Sequence, residues 1–340
     1  MTTNNSKKTL HHGGDTNWAR QMFKFGGNHW LDLSTGINAS PYPLPPISNK
    51  ASHLLPQVYE IEKLLKLASS YYRVSPQASL VLAPGSQALI QWLPQLRHKG
   101  KTVIIGPTYA EHETCWARCG HDVTYANNLD TALAAQPDVI VVVNPNNPTG
   151  TIYSPEALLN AIRTLAARNG LLVVDEAFAD VTPDISMAPF AGGDGLIILR
   201  SFGKFFGLAG IRLGVAITNE KWASMLNDAI GPWAISGITI DIALKAYADK
   251  RWIEATAKRL SLDHQRMNCL LKNLDLALVG GCDLFTLVEG CEAQRLFHHL
   301  GDNGIMVRHF PVNDQWLRFG FPGNNHDWQR LEATLSKFKN

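Results

Sequence analysis

An α/β fold is predicted, with a large domain built on a mixed, mostly parallel sheet covered by helices and a smaller α+β domain. Three observations carry it. Short apolar, β-branched runs alternate with stretches of helical spacing from about residue 80 to residue 216, the pattern of a parallel sheet buried on both faces. The runs between Leu80 and Arg200 end in residues suited to chemistry, among them Gly85, Tyr109, Asn147, Asp175 and Lys204, and ligands bind at that edge of open parallel sheets. Beyond Ala216 the alternation gives way to a helical stretch over 237–275 and then to short strands. The boundaries drawn are 1–40 for an N-terminal arm with part of the small domain, 41–250 for the large domain and 251–340 for the C-terminal small domain.

A chain of 340 residues fills one large core and a smaller satellite. With 45% hydrophobic and 18% charged residues and a net charge of +2, composition is that of an ordinary soluble enzyme. The scattered Lys and Arg exclude a field for nucleic acid or membrane surfaces. No apolar run reaches the ~18 residues of a membrane span, and MTTNNSKKTLHHGGD lacks the apolar core of a signal peptide. Five cysteines make an odd count without disulfide-dense spacing, and Cys115 and Cys119 lack a second pair or paired histidines. Reduced thiols, a cytoplasmic location and no metal site are therefore expected.

In chain order, the polar first thirty residues read as an arm rather than a core element, with His12-Gly13-Gly14-Asp15 able to bend close to something. His12 reads either as a surface histidine or as a site residue. Leu31–Ser34 is a short strand ended by Gly36-Ile37-Asn38, and PYPLPP at 41–46 is a stiff connector. Tyr59–Tyr72 has helical spacing. Leu80–Leu89 is strand, glycine turn and helix; Gly85 and Ser86 there form either an ordinary turn or a phosphate cradle. Thr102–Ile105 leads to Tyr109, which is core packing or a ring against a ligand. Asp138–Val143 is a central strand followed by NPNNPTG, whose Asn-Pro steps fix the loop and present an asparagine amide. After a helix near 155–168, Leu171–Val174 delivers Asp175 and Glu176, carboxylates that need partners if buried.

Leu196–Arg200 then feeds SFGKFFGLAGIRLG. Lys204 stands among Gly203, Phe205, Phe206 and Gly207, where desolvation favours a neutral, nucleophilic amine. Ser201 and Arg212 supply a hydroxyl and a fixed cation for a phosphate. Together they point to a lysine condensed with a pyridoxal cofactor. The C-terminal module has strands at Leu284–Val288, Ile305–Arg308 and Trp316–Phe321, with helices at Ala293–Leu300 and Trp328–Phe338. Arg308 reads as an anion clamp or a surface ion pair.

The motifs PGSQAL, PTY, NPNNPTG, VVDEAF, SFGKFFGLAGIRLG and LRFGFP, in this order, resemble those of the class I/II aminotransferase fold, the fold-type I enzymes that use pyridoxal 5'-phosphate. The resemblance covers nearly the whole chain. It implies that Lys204 carries the cofactor, that Asp175 pairs with its ring nitrogen, that Asn147 bonds the ring oxygen and that Tyr109 stacks on the ring. It gives the phosphate to Gly85, Ser86, Ser201 and Arg212, and an anionic group of the substrate to Arg318. Phe178 departs from the pattern, since many members place a tyrosine there.

LHHGGD, DLSTGINASPYP and GIMVRHF narrow the likeness to the threonine-phosphate decarboxylases of cobalamin biosynthesis, with histidinol-phosphate aminotransferases as neighbours. This resemblance implies a small phosphorylated amino acid as substrate. It places His12, Gly36, Ile37, Asn147, Arg308 and Arg318 around the substrate and makes Lys204, Asp175 and Tyr109 catalytic. It also implies a homodimer, in which Tyr59 is the candidate for reaching the partner's cofactor phosphate.

Overall fold

Residues 13–274 and 276–338 are described by the structure, a computed structural model; His12 lies outside them. In chain order the strands are β1 (Leu31–Asp32), β2 (Ser79–Ala83), β3 (Lys101–Ile105), β4 (Asp122–Ala126), β5 (Val139–Val143), β6 (Leu171–Asp175), β7 (Leu196–Ser201), β8 (Gly214–Thr218), β9 (Ala277–Cys282), β10 (Phe285–Glu289), β11 (Ile305–Met306), β12 (Arg308–Phe310) and β13 (Asn313–Phe319).

Seven of these form one sheet in the order β2-β8-β7-β6-β5-β3-β4. β8 runs antiparallel to both neighbours, so β2 and β7 point the same way and only β8 is reversed. The period of two along each strand divides the core between the faces. Ile140, Val142, Leu172, Val174 and Ile198 pack on one side. Val139, Val141, Leu171, Val173 and Ile197 pack on the other. β5 and β6 are buried at every position, as their unbroken apolar runs predict. The edge strand β4 (DVTYA) is mostly exposed and carries no such signal.

β9, β10, β12 and β13 form a second, antiparallel sheet in the order β12-β13-β10-β9. Its core includes Leu296, Leu300, Leu317, Phe319 and Leu331. Two expectations need correction here. The segment before residue 30 is more than an arm: helix Thr16–Met22, capped by the Asp15 side chain, and the buried Ala19, Phe23 and Trp30 belong to this second core. Closely spaced aromatics bury the segment despite its polar neighbours. The stretch over Ile305–Arg308 is two strands, because β11 pairs parallel with β1 while β12 joins β13. The helical stretch over 237–275 breaks at Asp249, which ends helix Gly237–Ala248 and caps helix Lys250–Lys272 through the amide of Trp252 at 3.0 Å. That longer helix reaches both cores, with Leu260 in the larger and Met267 and Leu271 in the smaller.

A buried ion cluster ties β6 to β7 at their carboxyl ends. Arg200 Nη1 donates to Glu176 Oε2 at 2.7 Å and its Nη2 lies 3.2 Å from Asp180. Glu176 also accepts from Ser186 Oγ and the Met187 amide, each at 2.6 Å. Removing the cation leaves two carboxylates buried without it. Arg200→Met should therefore cost about 3–5 kcal/mol of unfolding free energy, read from the urea midpoint. An unchanged midpoint would show that the cluster adds nothing to stability.

Candidate active site

Ser201 closes β7 and opens the short helix Phe202–Phe205 that carries Lys204. Buried Phe202, Phe205 and Phe206 anchor this turn, and a Cβ on Gly203 would meet Ala209 Cα at 2.6 Å. Burial, Arg318 and Arg212 lower the Lys204 amine from 10.5 to about 8, while Asp175 works in the opposite direction. Its Nζ stands 5.6 Å from the Phe178 ring centre, so Phe178 offers it a ring where a tyrosine would add a hydroxyl.

A residue missed in the sequence holds the turn from behind. The Asn38 amide donates to Lys204 O at 3.0 Å and Asn38 Nδ2 donates to Phe205 O at 2.9 Å. Asn38 Oδ1 accepts from Arg259 Nη2, on the long helix, at 2.6 Å. The preceding Gly36 is buried where a Cβ would lie 2.7 Å from Phe178, and Ile37 beside it is half-buried.

Asp175 ends β6, almost wholly buried. Its Oδ2 lies 2.9 Å from His112 Nε2, and its Oδ1 accepts from the Ala177 amide at 3.0 Å. His112, also buried, sits in helix Glu111–Arg118 and was the second residue missed. Its one signal is its place one helical turn past Tyr109. The Tyr109 ring meets His112 edge-on at 6.1 Å, and its hydroxyl donates to Gln87 Oε1 at 3.1 Å. Burial, Glu111 and Asp175 push the Tyr109 phenol up to about 12.

On the other flank, Gly85 has φ of 84° and precedes helix Ser86–Leu96. A Cβ there would lie 2.4 Å from Arg212 Nη2 and would push that guanidinium aside, on a backbone whose positive φ already favours glycine. Arg212 is itself left-handed at φ 56°, with Nη1 donating to Ala209 O at 3.2 Å. Ser86 opens that helix, and Ser201 pairs across the sheet with Gly214, where a Cβ would lie 2.3 Å from the Ser86 amide nitrogen. With a lysine of lowered pKa and a buried carboxylate nearby, the residues present fit pyridoxal 5'-phosphate.

The NPNNPTG loop divides its labour. Asn144 bonds Tyr153 and Asn146 bonds Thr108, Pro107 and Thr149, which fixes the loop. Asn147 faces the site and accepts from Arg318 Nη1. Arg318 Nη2 donates to Ser34 O at 2.8 Å, and its buried Nε has no hydrogen-bond partner. Burial and Arg308 lower Arg318 to about 10; burial also lowers Arg308, its cross-strand partner. Among the described residues neither arginine forms a salt bridge. The Gly-Gly of the arm bends onto Ser34, where the Gly14 amide donates to Ser34 Oγ at 2.8 Å and a Cβ on Gly13 would lie 2.6 Å from Ser34 O. Tyr59 is exposed and bonds Lys50 and Glu60.

The chain matches the aminotransferase class I and II family over residues 48–335 and belongs to it. It is 39% identical over 334 residues to a threonine-phosphate decarboxylase from Pseudomonas aeruginosa, covering 97% of this chain and 98% of that one. A histidinol-phosphate aminotransferase from Ruminiclostridium cellulolyticum is 29% identical over 304 residues, with 82% and 84% covered. A histidinol-phosphate aminotransferase from Sinorhizobium meliloti, solved with pyridoxal-5'-phosphate, superposes with a TM-score of 0.83 at 20% identity, covering 99% of this chain and 98% of its own. That likeness fixes the fold.

Labelling of the cofactor-free protein by an amine reagent should follow a midpoint near the value of about 8 given by burial and the arginines. Removing a cation in Arg318→Met should move that midpoint upward, by mass spectrometry of the Lys204 peptide. A midpoint at the ordinary lysine value, unmoved by the substitution, would contradict the geometry.

Proposed function

We propose that the chain decarboxylates L-threonine O-3-phosphate to (R)-1-amino-2-propanol O-2-phosphate, releasing CO2 and taking up one proton, as a step of cobalamin biosynthesis. One observation carries it: Arg308 and Arg318, directly opposed on β12 and β13, form no salt bridge among the described residues and stand ready for a phosphate and a carboxylate. The similarity to the Pseudomonas decarboxylase over almost the full length of both chains supports the same reading.

Pyridoxal phosphate, when bound, supplies the electron sink for the bond broken at the substrate's α-carbon. Asp175, oriented by His112, would hold a proton at the ring nitrogen. Asn147, whose Oδ1 is taken by Arg318, is left with its amide N–H groups for the ring oxygen. Tyr109 would cover the ring, and the Gly85–Ser86 turn, Ser201 and Arg212 would hold the phosphate. His12, Gly36, Ile37, Asn147, Arg308 and Arg318 would contact the substrate, the two arginines holding its phosphate and carboxylate and so fixing how the carboxylate is presented. That orientation selects which bond breaks. Lys204 then delivers a proton to the α-carbon, a role suited to an amine whose pKa is about 8.

The divisions 1–40, 41–250 and 251–340 are proposed as arm with part of the small domain, cofactor-binding domain and small domain. We place the enzyme in the cytoplasm as a homodimer. Exposed Leu54, Leu55, Val58 and Tyr59 support the dimer, and Tyr59 is proposed to reach the partner's cofactor phosphate. Sedimentation should give twice the chain mass; a monomer at micromolar concentration would remove the dimer.

Histidinol-phosphate aminotransferase is the second reading, favoured by the relative at 29% identity. The two separate cleanly. Holoenzyme given L-threonine phosphate and no keto acid should release CO2, and Lys204→Ala should abolish release. Arg308→Ala should raise KM for the phosphorylated substrate by about tenfold or more. A strict requirement for 2-oxoglutarate, with no CO2, would establish the aminotransferase instead.

A further inference from the structure

Two guanidinium groups set opposite each other repel, and a carboxylate partner would satisfy them at the expense of any anionic ligand. Arg308 and Arg318 are register partners, and the structure provides a different companion. The strand's period of two puts Phe310 on the same side as Arg308, and the ladder shifts between His309 and Phe310. The Phe310 ring centre lies 5.5 Å from Arg308 Cζ and 5.9 Å from Arg318 Cζ. The ring is held edge-on against Trp316 at 6.3 Å, and Trp316 Nε1 donates to Glu289 Oε1 at 3.0 Å. Arg318 rests in addition 5.1 Å from the Phe285 ring centre.

We infer that Phe310 is a specificity-determining residue, its ring bracketing Arg308 and Arg318 so that the pair selects a phosphate dianion over less charged ligands. An aromatic face attracts a cation without neutralising it and leaves the N–H donors free. Arg318 spends an Nη1 donor on Asn147 and an Nη2 donor on Ser34 O, but neither acceptor is a carboxylate, so both guanidiniums keep full charge and favour a ligand that brings a phosphate dianion beside its carboxylate. His309, between the two, points to the opposite face, where its ring lies 5.4 Å from Phe297. The inference rests on the proposed reading that the site takes a phosphorylated amino acid.

The test compares wild type, Phe310→Leu and Phe310→Tyr as holoenzymes, titrated with L-threonine phosphate and with L-threonine and followed by cofactor absorbance. Phe310→Leu should weaken L-threonine phosphate by about tenfold, the size of two lost cation–π contacts, with L-threonine changed by less than about twofold. Phe310→Tyr, which keeps the ring, should stay within about threefold of wild type for both. In wild type, affinity for L-threonine phosphate should rise as the phosphate loses its second proton near pH ~6; in Phe310→Leu that rise should flatten. Equal losses for both ligands in Phe310→Leu, or Leu and Tyr variants equally impaired, would overturn the inference. So would a wild type that binds the two ligands alike. Tight, Phe310-dependent binding without CO2 release would overturn the decarboxylase reading alone and leave this inference standing.

Discussion

A carboxylate carried out of water at the end of a parallel strand needs a partner, and Asp175 finds one in His112 at 2.9 Å. The site is arranged around that charge. It acts on Lys204 against the combined effect of burial and two arginines, and the lysine settles at about 8. A stronger pairing would carry the lysine back toward its ordinary value. Glu176 and Arg200 follow the paired Asp175 and Leu199 by one residue, so alternation turns them away from Asp175, and Asp180 joins them from the 3-10 turn Ala179–Val181.

The two sheets meet through contacts that admit no spare atoms. A Cβ on Gly150 would lie 2.1 Å from Gly281 O, and one on Gly280 would lie 2.1 Å from Thr149 O. The small sheet is thereby pressed onto the loop that presents Asn147, and Arg318 reaches Asn147 and Ser34 together. Asn38 carries the same connection to the lysine turn, with Arg259 from the long helix as its anchor. Arg318 and the Lys204 turn are thus both held by hydrogen bonds to the short segment from Ser34 to Asn38.

What could be read from the chain followed from strong local signals. VIVVV and LLVVD are strands wherever they are placed, because only a doubly covered sheet buries every residue of such runs. Lys204 and Gly85 announced themselves through glycine-rich turns. β4 escaped notice because an exposed edge strand has no need of an apolar run. The helical segment before Met22 is stabilised by aromatics that contact residues almost three hundred positions away, such as Phe23 on Phe297, and no local window contains that partner. His112 acts through one side-chain hydrogen bond and Asn38 through three, all to groups distant in sequence, and their spacing carries no period. Glu176 was flagged as a carboxylate in need of a partner; that the partner is Arg200 emerges only when β6 and β7 lie side by side.

The central claim is covalent, and borohydride reduction of the cofactor-loaded protein followed by peptide mass mapping tests it most directly. The account predicts a single added reduced-cofactor mass, on the peptide containing Lys204. The mass on any other lysine, or no added mass after full loading, would contradict it.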